Sequence, residues 1–208
     1  ETEMKVLIAC EFSGIVRDAF RARGHDAWSC DLLPCEADPQ WHIQSDVRAI
    51  LRKEPHLRAF FGNRGQIPEW DMMIAHPPCT HLAVSGAPWF HRKQKEQAEA
   101  LDFVRALMNA PIPRICIENP VSVISSKIRK PDQIVQPWMF GHPERKTTCL
   151  WLKNLPNLIP TSDLKAETLA KPANKQNPLH YLPPSADRWK ARSLTYSGLA
   201  EAMAAQWR

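Results

Sequence analysis

The chain has 208 residues, the size of one domain that buries a sizeable core without disulfides or metals. Hydrophobic residues make up 44% and charged residues 24%, ordinary for a soluble globular protein, and no apolar run is long enough to span a bilayer. The net charge of +5 suits a polyanionic partner and equally a merely basic enzyme. No signal-peptide pattern precedes the first strand-like segment, so a cytoplasmic protein is expected.

In chain order, Lys5–Cys10 is a continuous apolar run, the mark of a strand buried on both faces. Ser13-Gly14 follows, then Ile15, Val16, Ala19 and Phe20 at helical spacing up to Gly24. Ala27–Cys30 is a second strand ending at Asp31, and Asp46 caps a short helix from Val47 to Arg52. Asp71–Ala75 is a third strand, which runs into His76-Pro77-Pro78-Cys79, where two prolines forbid a continued ladder. A long helix fits His91 to Asn109. Arg114–Ile117 is a fourth strand ending at Glu118-Asn119-Pro120, and Thr147–Leu152 a fifth. Residues 153–185 read as mostly loop, and a last helix fits Tyr196 to Trp207.

Alternating strands and helices predict an α/β fold, Rossmann-like, with a mainly parallel sheet and helices on both faces. In such sheets ligands sit beyond the carboxyl ends of the strands. Phe12-Ser13-Gly14-Ile15, Asp31, Pro77-Pro78-Cys79 and Glu118-Asn119 all fall there. A glycine in the first strand-to-helix turn lets a ligand approach the backbone, and Asp31 is placed to accept from ribose hydroxyls. That is the logic of a nucleoside cofactor, although the dinucleotide pattern Gly-x-Gly-x-x-Gly is missing. The bland alternative is a helix-initiating glycine beside a solvated aspartate.

Of the six cysteines at 10, 30, 35, 79, 116 and 149, most lie in apolar strands and read as reduced, buried thiols. Cys30 and Cys35 with His25 and His42 match no common zinc spacing, so no metal is expected. Cys79 differs, because a strand-end turn leaves its thiol reachable, as a nucleophile requires. The carboxyl of Glu118 could hydrogen-bond a base edge or transfer a proton. Together they make sense on cytosine. A thiolate adding at carbon 6 pushes electron density onto carbon 5, while a carboxylic acid at ring nitrogen 3 stabilises the charge. Carbon 5 then becomes able to accept a methyl group from a sulfonium.

Phe12-Ser13-Gly14-Ile15, His76-Pro77-Pro78-Cys79-Thr80 and Glu118-Asn119-Pro120, in this order, resemble the cytosine-5 DNA methyltransferases over residues 4–152. Those segments correspond to the family's Phe-x-Gly-Ile-Gly-Gly, Gly-Pro-Pro-Cys-Gln and Glu-Asn-Val. Here Val16-Arg17 stands for two glycines, Thr80 for glutamine and Pro120 for valine. The resemblance implies S-adenosyl-L-methionine as cofactor, held by Phe12, Ser13, Gly14, Ile15, Asp31, Asp46 near the adenine, and Pro77. It implies duplex DNA as partner, with the target cytosine flipped from the helix. Cys79 and Glu118 would be catalytic, joined by Arg145, the residue of Pro143–Thr147 that carries over from a Gln-x-Arg-x-Arg segment. Pro78, Thr80 and Asn119 would meet the base. In the loop after the nucleophile, Ser85 and Arg92 would meet DNA and Trp89 would stack on a base; the alternative is an amphipathic helix start with core aromatics. The family resemblance also implies a bacterial or phage-type host cell.

Three divisions follow: a catalytic core over 4–152, a short loop-rich region over 153–194 where the family has a large target-recognition domain, and a terminal helix over 195–208. So small a region implies a short or relaxed recognition site, or a partner protein that supplies recognition. RNA or a free cytosine nucleotide as substrate, and a non-catalytic nucleic-acid-binding module, remain as alternatives. The basic cluster Arg188, Lys190 and Arg192 reads as a solvated face.

Overall fold

The computed structural model describes residues 2–207, apart from the side chains of Asn63, Arg64 and Trp89. Its strands are β1 (Lys5–Ala9), β2 (Asp26–Asp31), β3 (His42–Gln44), β4 (Met72–Ala75), β5 (Arg114–Pro120), β6 (Gln133–Val135) and β7 (Thr148–Lys153). They form one sheet of order β3-β2-β1-β4-β5-β7-β6. The first five strands run parallel, β7 runs antiparallel to β5, and β6 antiparallel to β7. This is the expected α/β Rossmann-like sheet, mainly parallel.

Alternation along β1 explains the two layers. Leu7 and Ala9 face one side, where α2 (Val47–Leu51) and α3 (Gln94–Met108) contribute Val47, Ile50, Leu101, Val104 and Leu107. Val6 and Ile8 face the other, where α1 (Ile15–Arg21) and the last helix, Ser197–Gln206, contribute Val16, Phe20, Leu199 and Met203. Both faces of the strand are buried, as the unbroken apolar run requires. Trp28 on β2 and Trp151 on β7 are core residues, 4% and 1% exposed.

Between β5 and that last helix the chain forms four short helices, α4 (Ile124–Lys127), α5 (Lys165–Ala170), α6 (Ala173–Gln176) and α7 (Arg188–Ser193); the last helix is therefore α8. The region read as mostly loop thus carries α5 and α6, each of six residues or fewer. Among the described residues no helix is long and apolar enough to cross a membrane.

Helix α8 closes on the core through Gly198. A Cβ there would stand 1.9 Å from the Phe140 carbonyl oxygen, a backbone atom that cannot step aside. Its N–H donates to His142 Nε2 at 3.1 Å. Gly198→Ala is expected to destabilise the protein by about 3 kcal/mol, at the upper end of overpacking costs. A melting temperature within about 2 °C of the wild type would sink this account of the α8 contact.

Candidate active site

Parallel register brings the strand ends into line. Ala9 pairs with Ala75 and Cys30, and Ala75 with Ile117. The next residues of each chain segment therefore emerge side by side: Cys10-Glu11, Asp31, His76 and Glu118. The edge lies where the chain diverges from β1 towards β2 on one side and β4 on the other, the usual place for a ligand in an open α/β sheet.

The turn after β1 is built around Glu11, which is 5% exposed. Its carboxylate accepts from the N–H groups of Val16 at 2.7 Å and Arg17 at 3.3 Å, and from Ser13 Oγ at 3.3 Å. These backbone donors at the start of α1 are the ones a nucleotide phosphate would use. Here the protein's own carboxylate takes them. Burial raises the Glu11 pKa, opposed first by His76 and then by these N–H bonds. Gly14 has φ 78°, and a Cβ there would lie 2.6 Å from Arg17 Nη2. The Arg17 side chain, standing where the resembling family has glycine, is fully buried beneath the turn. It donates to Ser29 Oγ at 3.1 Å and Cys35 Sγ at 3.3 Å.

Asp31 is partly buried and accepts from the Leu33 N–H at 2.9 Å; burial is the main cause of its raised pKa. Leu32 beside it is 71% exposed, an apolar side chain left facing outwards. Asp46 caps α2 by accepting from the Arg48 N–H at 2.8 Å, and its oxygens also hold the Arg48 guanidinium. Both aspartates raise the pKa of Cys10, after burial, which places them together around the end of β1.

Cys79 is the exposed member of six free cysteines; Cys30, Cys116 and Cys149 are buried. Its carbonyl accepts from Leu82 at 3.0 Å and Ala83 at 2.8 Å, which closes the turn. Asn119, 1% exposed, donates from Nδ2 to the Pro77 carbonyl at 2.8 Å, so β5 pins the Pro-Pro segment from below. Its role in the geometry is to hold the turn, and Oδ1 stays buried without a partner. His76 Nδ1 lies 2.7 Å from Glu118 Oε2. The sequence shows His76 only as a histidine ahead of the Pro-Pro pair; its partner, 42 residues away, is not legible there. Partial burial and then the Glu118 charge raise the Cys79 pKa, opposed by Arg192 and Lys146.

Arg145, the residue expected at the site, and its neighbour Lys146 point in different directions. Arg145 is exposed, and its Nη1 donates to Gln176 Oε1 at 3.3 Å on α6. Lys146 points inwards, with Nζ donating to the Leu194 carbonyl at 2.7 Å and standing 5.8 Å from the Tyr196 ring centroid. Burial lowers its pKa, against the opposing pull of Glu118 and Cys79. One of the two neighbouring cations thus faces Gln176 and the other the Leu194 carbonyl.

The cluster read as a solvated face is partly so: Arg192 is exposed, whereas Arg188 and Lys190 are half-buried. Trp189 on α7 packs its ring 5.8 Å from that of Phe12, and Lys190 Nζ lies 3.2 Å from Glu36 Oε1. The Arg192 charge lowers the pKa of both Cys79 and Lys146. One short helix of the 153–194 region therefore packs over the turn after β1. Of the residues expected to meet DNA, Pro78, Thr80, Ser85 and Arg92 are exposed, the last two on a 3-10 helix over Val84–Arg92. The Trp89 side chain, expected to stack on a base, lies outside the described residues.

No family model matches the chain, and no curated protein matches it. Among solved structures it is similar to one described as a DNA modification methyltransferase encoded within an E. coli prophage, at 20% identity and a TM-score of 0.43. That likeness covers 72% of this chain and 46% of the other. It is also similar to the S. pombe Dnmt2 methyltransferase, at 14% identity and a TM-score of 0.43, over 91% of this chain and 62% of that one. The chain therefore spans less than two thirds of the length of either structure.

Proposed function

We propose that the chain transfers a methyl group from S-adenosyl-L-methionine to carbon 5 of cytosine in DNA through a covalent adduct of Cys79. The observation that carries this reading is one exposed thiol on a Pro-Pro turn pinned by Asn119, the neighbour of Glu118 on β5, where the thiol feels the charges of Glu118 and Lys146. This juxtaposition matches what addition to carbon 6 of a pyrimidine requires.

The cofactor turn fits the group. S-adenosylmethionine carries no phosphate and bears a positive sulfonium and ammonium. The α1 donors that a phosphate would need are taken by Glu11, and Glu11, Asp31 and Asp46 give the cleft carboxylates instead. Phe12, Ser13, Gly14 and Ile15 would line the amino-acid end, Asp31 would accept from the ribose, and Asp46 and Pro77 would complete the cleft. When bound, the cofactor supplies the electrophilic methyl carbon that carbon 5 accepts.

The residues of the chain do the rest. Lys146 and Arg192 favour the Cys79 thiolate, whose sulfur forms a bond to carbon 6. Glu118 binds the edge of the ring at nitrogen 3, where the displaced charge collects. Asn119 keeps Pro77, and with it the nucleophile, at a fixed height above β5. Loss of the carbon 5 proton to solvent, with its bonding pair closing the carbon 5–carbon 6 double bond and Cys79 leaving as thiolate, restores the ring. Arg145 takes no part in this scheme, and Lys146 takes its place. Thr80, Ser85, Trp89 and Arg92 would border the DNA, with α7 and any protein partner supplying recognition.

The test is incubation with labelled S-adenosylmethionine and duplex DNA, single-stranded DNA, RNA or dCMP, followed by digestion to nucleosides. Labelled 5-methylcytosine from duplex DNA is expected. Label in RNA or dCMP alone would move the substrate while keeping the chemistry, and no 5-methylcytosine from any of them would end the reading.

A further inference from the structure

His76 sits where β1 and β4 diverge, fixed by its N–H donating to the Ala9 carbonyl at 2.9 Å. Its ring reaches Glu118, and the two side chains are only 10% and 13% exposed. A carboxylate and an imidazole at this separation and burial form a charge-assisted pair, and removing either member leaves the other without compensation. The remaining charged groups around the ring come from three elements. Glu11 in the turn after β1 favours the imidazolium, Lys146 before β7 opposes it, and Asp31 at the end of β2 is itself influenced by His76. Burial alone would lower the His76 pKa, but the Glu118 bond and charge outweigh it and raise it. Burial alone would raise the Glu118 pKa, but the same bond carries it down. The far nitrogen, Nε2, is buried without a partner, so Glu118 is the ring's hydrogen-bonding anchor.

We propose that His76 is a positioning residue that holds Glu118 as a carboxylate, so that the pair accepts the nitrogen-3 edge of a pyrimidine only together with a proton drawn from solvent. This rests on the methyl-transfer reading above and deepens it. A neutral cytosine presents a lone pair at nitrogen 3, which a carboxylate repels. A single proton between them turns repulsion into a charged hydrogen bond. Bonded to nitrogen 3 on docking, it withdraws electron density from the ring and makes carbon 6 a better target for the thiolate. As the bond from sulfur to carbon 6 breaks, the nitrogen-3 proton returns to solvent. A buried glutamate without the imidazolium would keep its own proton and donate it with no uptake.

His76→Asn keeps an N–H donor near the Nδ1 position and removes the charge. Binding of cytosine-containing duplex is measured calorimetrically in two buffers of different ionisation enthalpy. The wild type is expected to take up about one proton more than His76→Asn on binding, and its affinity to fall about tenfold per pH unit above the variant's trend. Ring-nitrogen NMR of the unliganded wild type gives a readout independent of activity. His76 should titrate above the free value of about 6.5, and Glu118→Gln should lower it. Equal proton uptake in wild type and His76→Asn overturns the proposal, as does a His76 titration at or below the free value. Either result with methyl transfer intact fails this inference alone, whereas no methyl transfer on any substrate fails the reading beneath it.

Discussion

Cys79→Ala is expected to lower methyl transfer by about four orders of magnitude or more, the scale on which loss of a covalent nucleophile is felt. The thiol is exposed on a turn whose closure uses its carbonyl and not its side chain, so stability should stay within about 0.5 kcal/mol of the wild type. Activity and fold are thereby separated in one variant. Duplex DNA containing 5-fluorocytosine gives a sharper version. Fluorine at carbon 5 cannot leave as a proton does, so the adduct stalls and a protein–DNA band survives denaturation. Wild type should form it and Cys79→Ser should not. A Cys79→Ser protein that still forms the adduct, or one that retains more than a few per cent of activity, would move the nucleophile elsewhere; among the other cysteines, Cys10 and Cys35 are partly accessible.

That Cys79 could be singled out from sequence has a plain physical basis. Strands β1, β4 and β5 are buried on both faces, so their apolar runs are unbroken and their ends stand out. Whatever follows such a run in a parallel sheet lands at the ligand edge. The Asp46 cap, the α3 span and the last helix were legible for similar local reasons. The strands β3 and β6 were not, because three residues cannot show a period and their pairing with β2 and β7 is decided by neighbours far along the chain. The same distance hid the His76–Glu118 contact and the docking of Trp189 on Phe12. Arg17 was visible as a departure from glycine. Its consequence, a buried guanidinium that itself demands a glycine at 14, needed the three-dimensional placement of Ser29 and Cys35. In each case local chemistry was readable, and what escaped was which distant groups complete it.

Whether Arg145 or Lys146 is the cation that serves the thiol is decided by a pair of variants. Lys146→Met removes the ammonium that favours the Cys79 thiolate, leaving burial and the Glu118 carboxylate to raise the thiol pKa further. Arg145→Met removes a cation that faces Gln176. The sign is direct: the thiolate is the reactive form, so a higher pKa means a smaller reactive fraction at any pH below it. Alkylation of Cys79 by iodoacetamide near neutral pH should therefore slow about tenfold in Lys146→Met, the effect of about one pKa unit from losing a nearby opposite charge. It should be unchanged in Arg145→Met. Methyl transfer should follow the same order, with Lys146→Met falling by two orders of magnitude or so because the cation also balances charge near Glu118. A reversal, with Arg145→Met inactive and Lys146→Met near wild type, would mean that Arg145 swings from α6 into the cleft when DNA binds. The family-based assignment would then stand over the geometry of the free chain. With the order as expected, a basic side chain one position along the chain has taken over the cation's task, made possible because the approach to β7 turns Lys146, and not Arg145, towards the carbonyl of Leu194, where it feels the charge of Cys79.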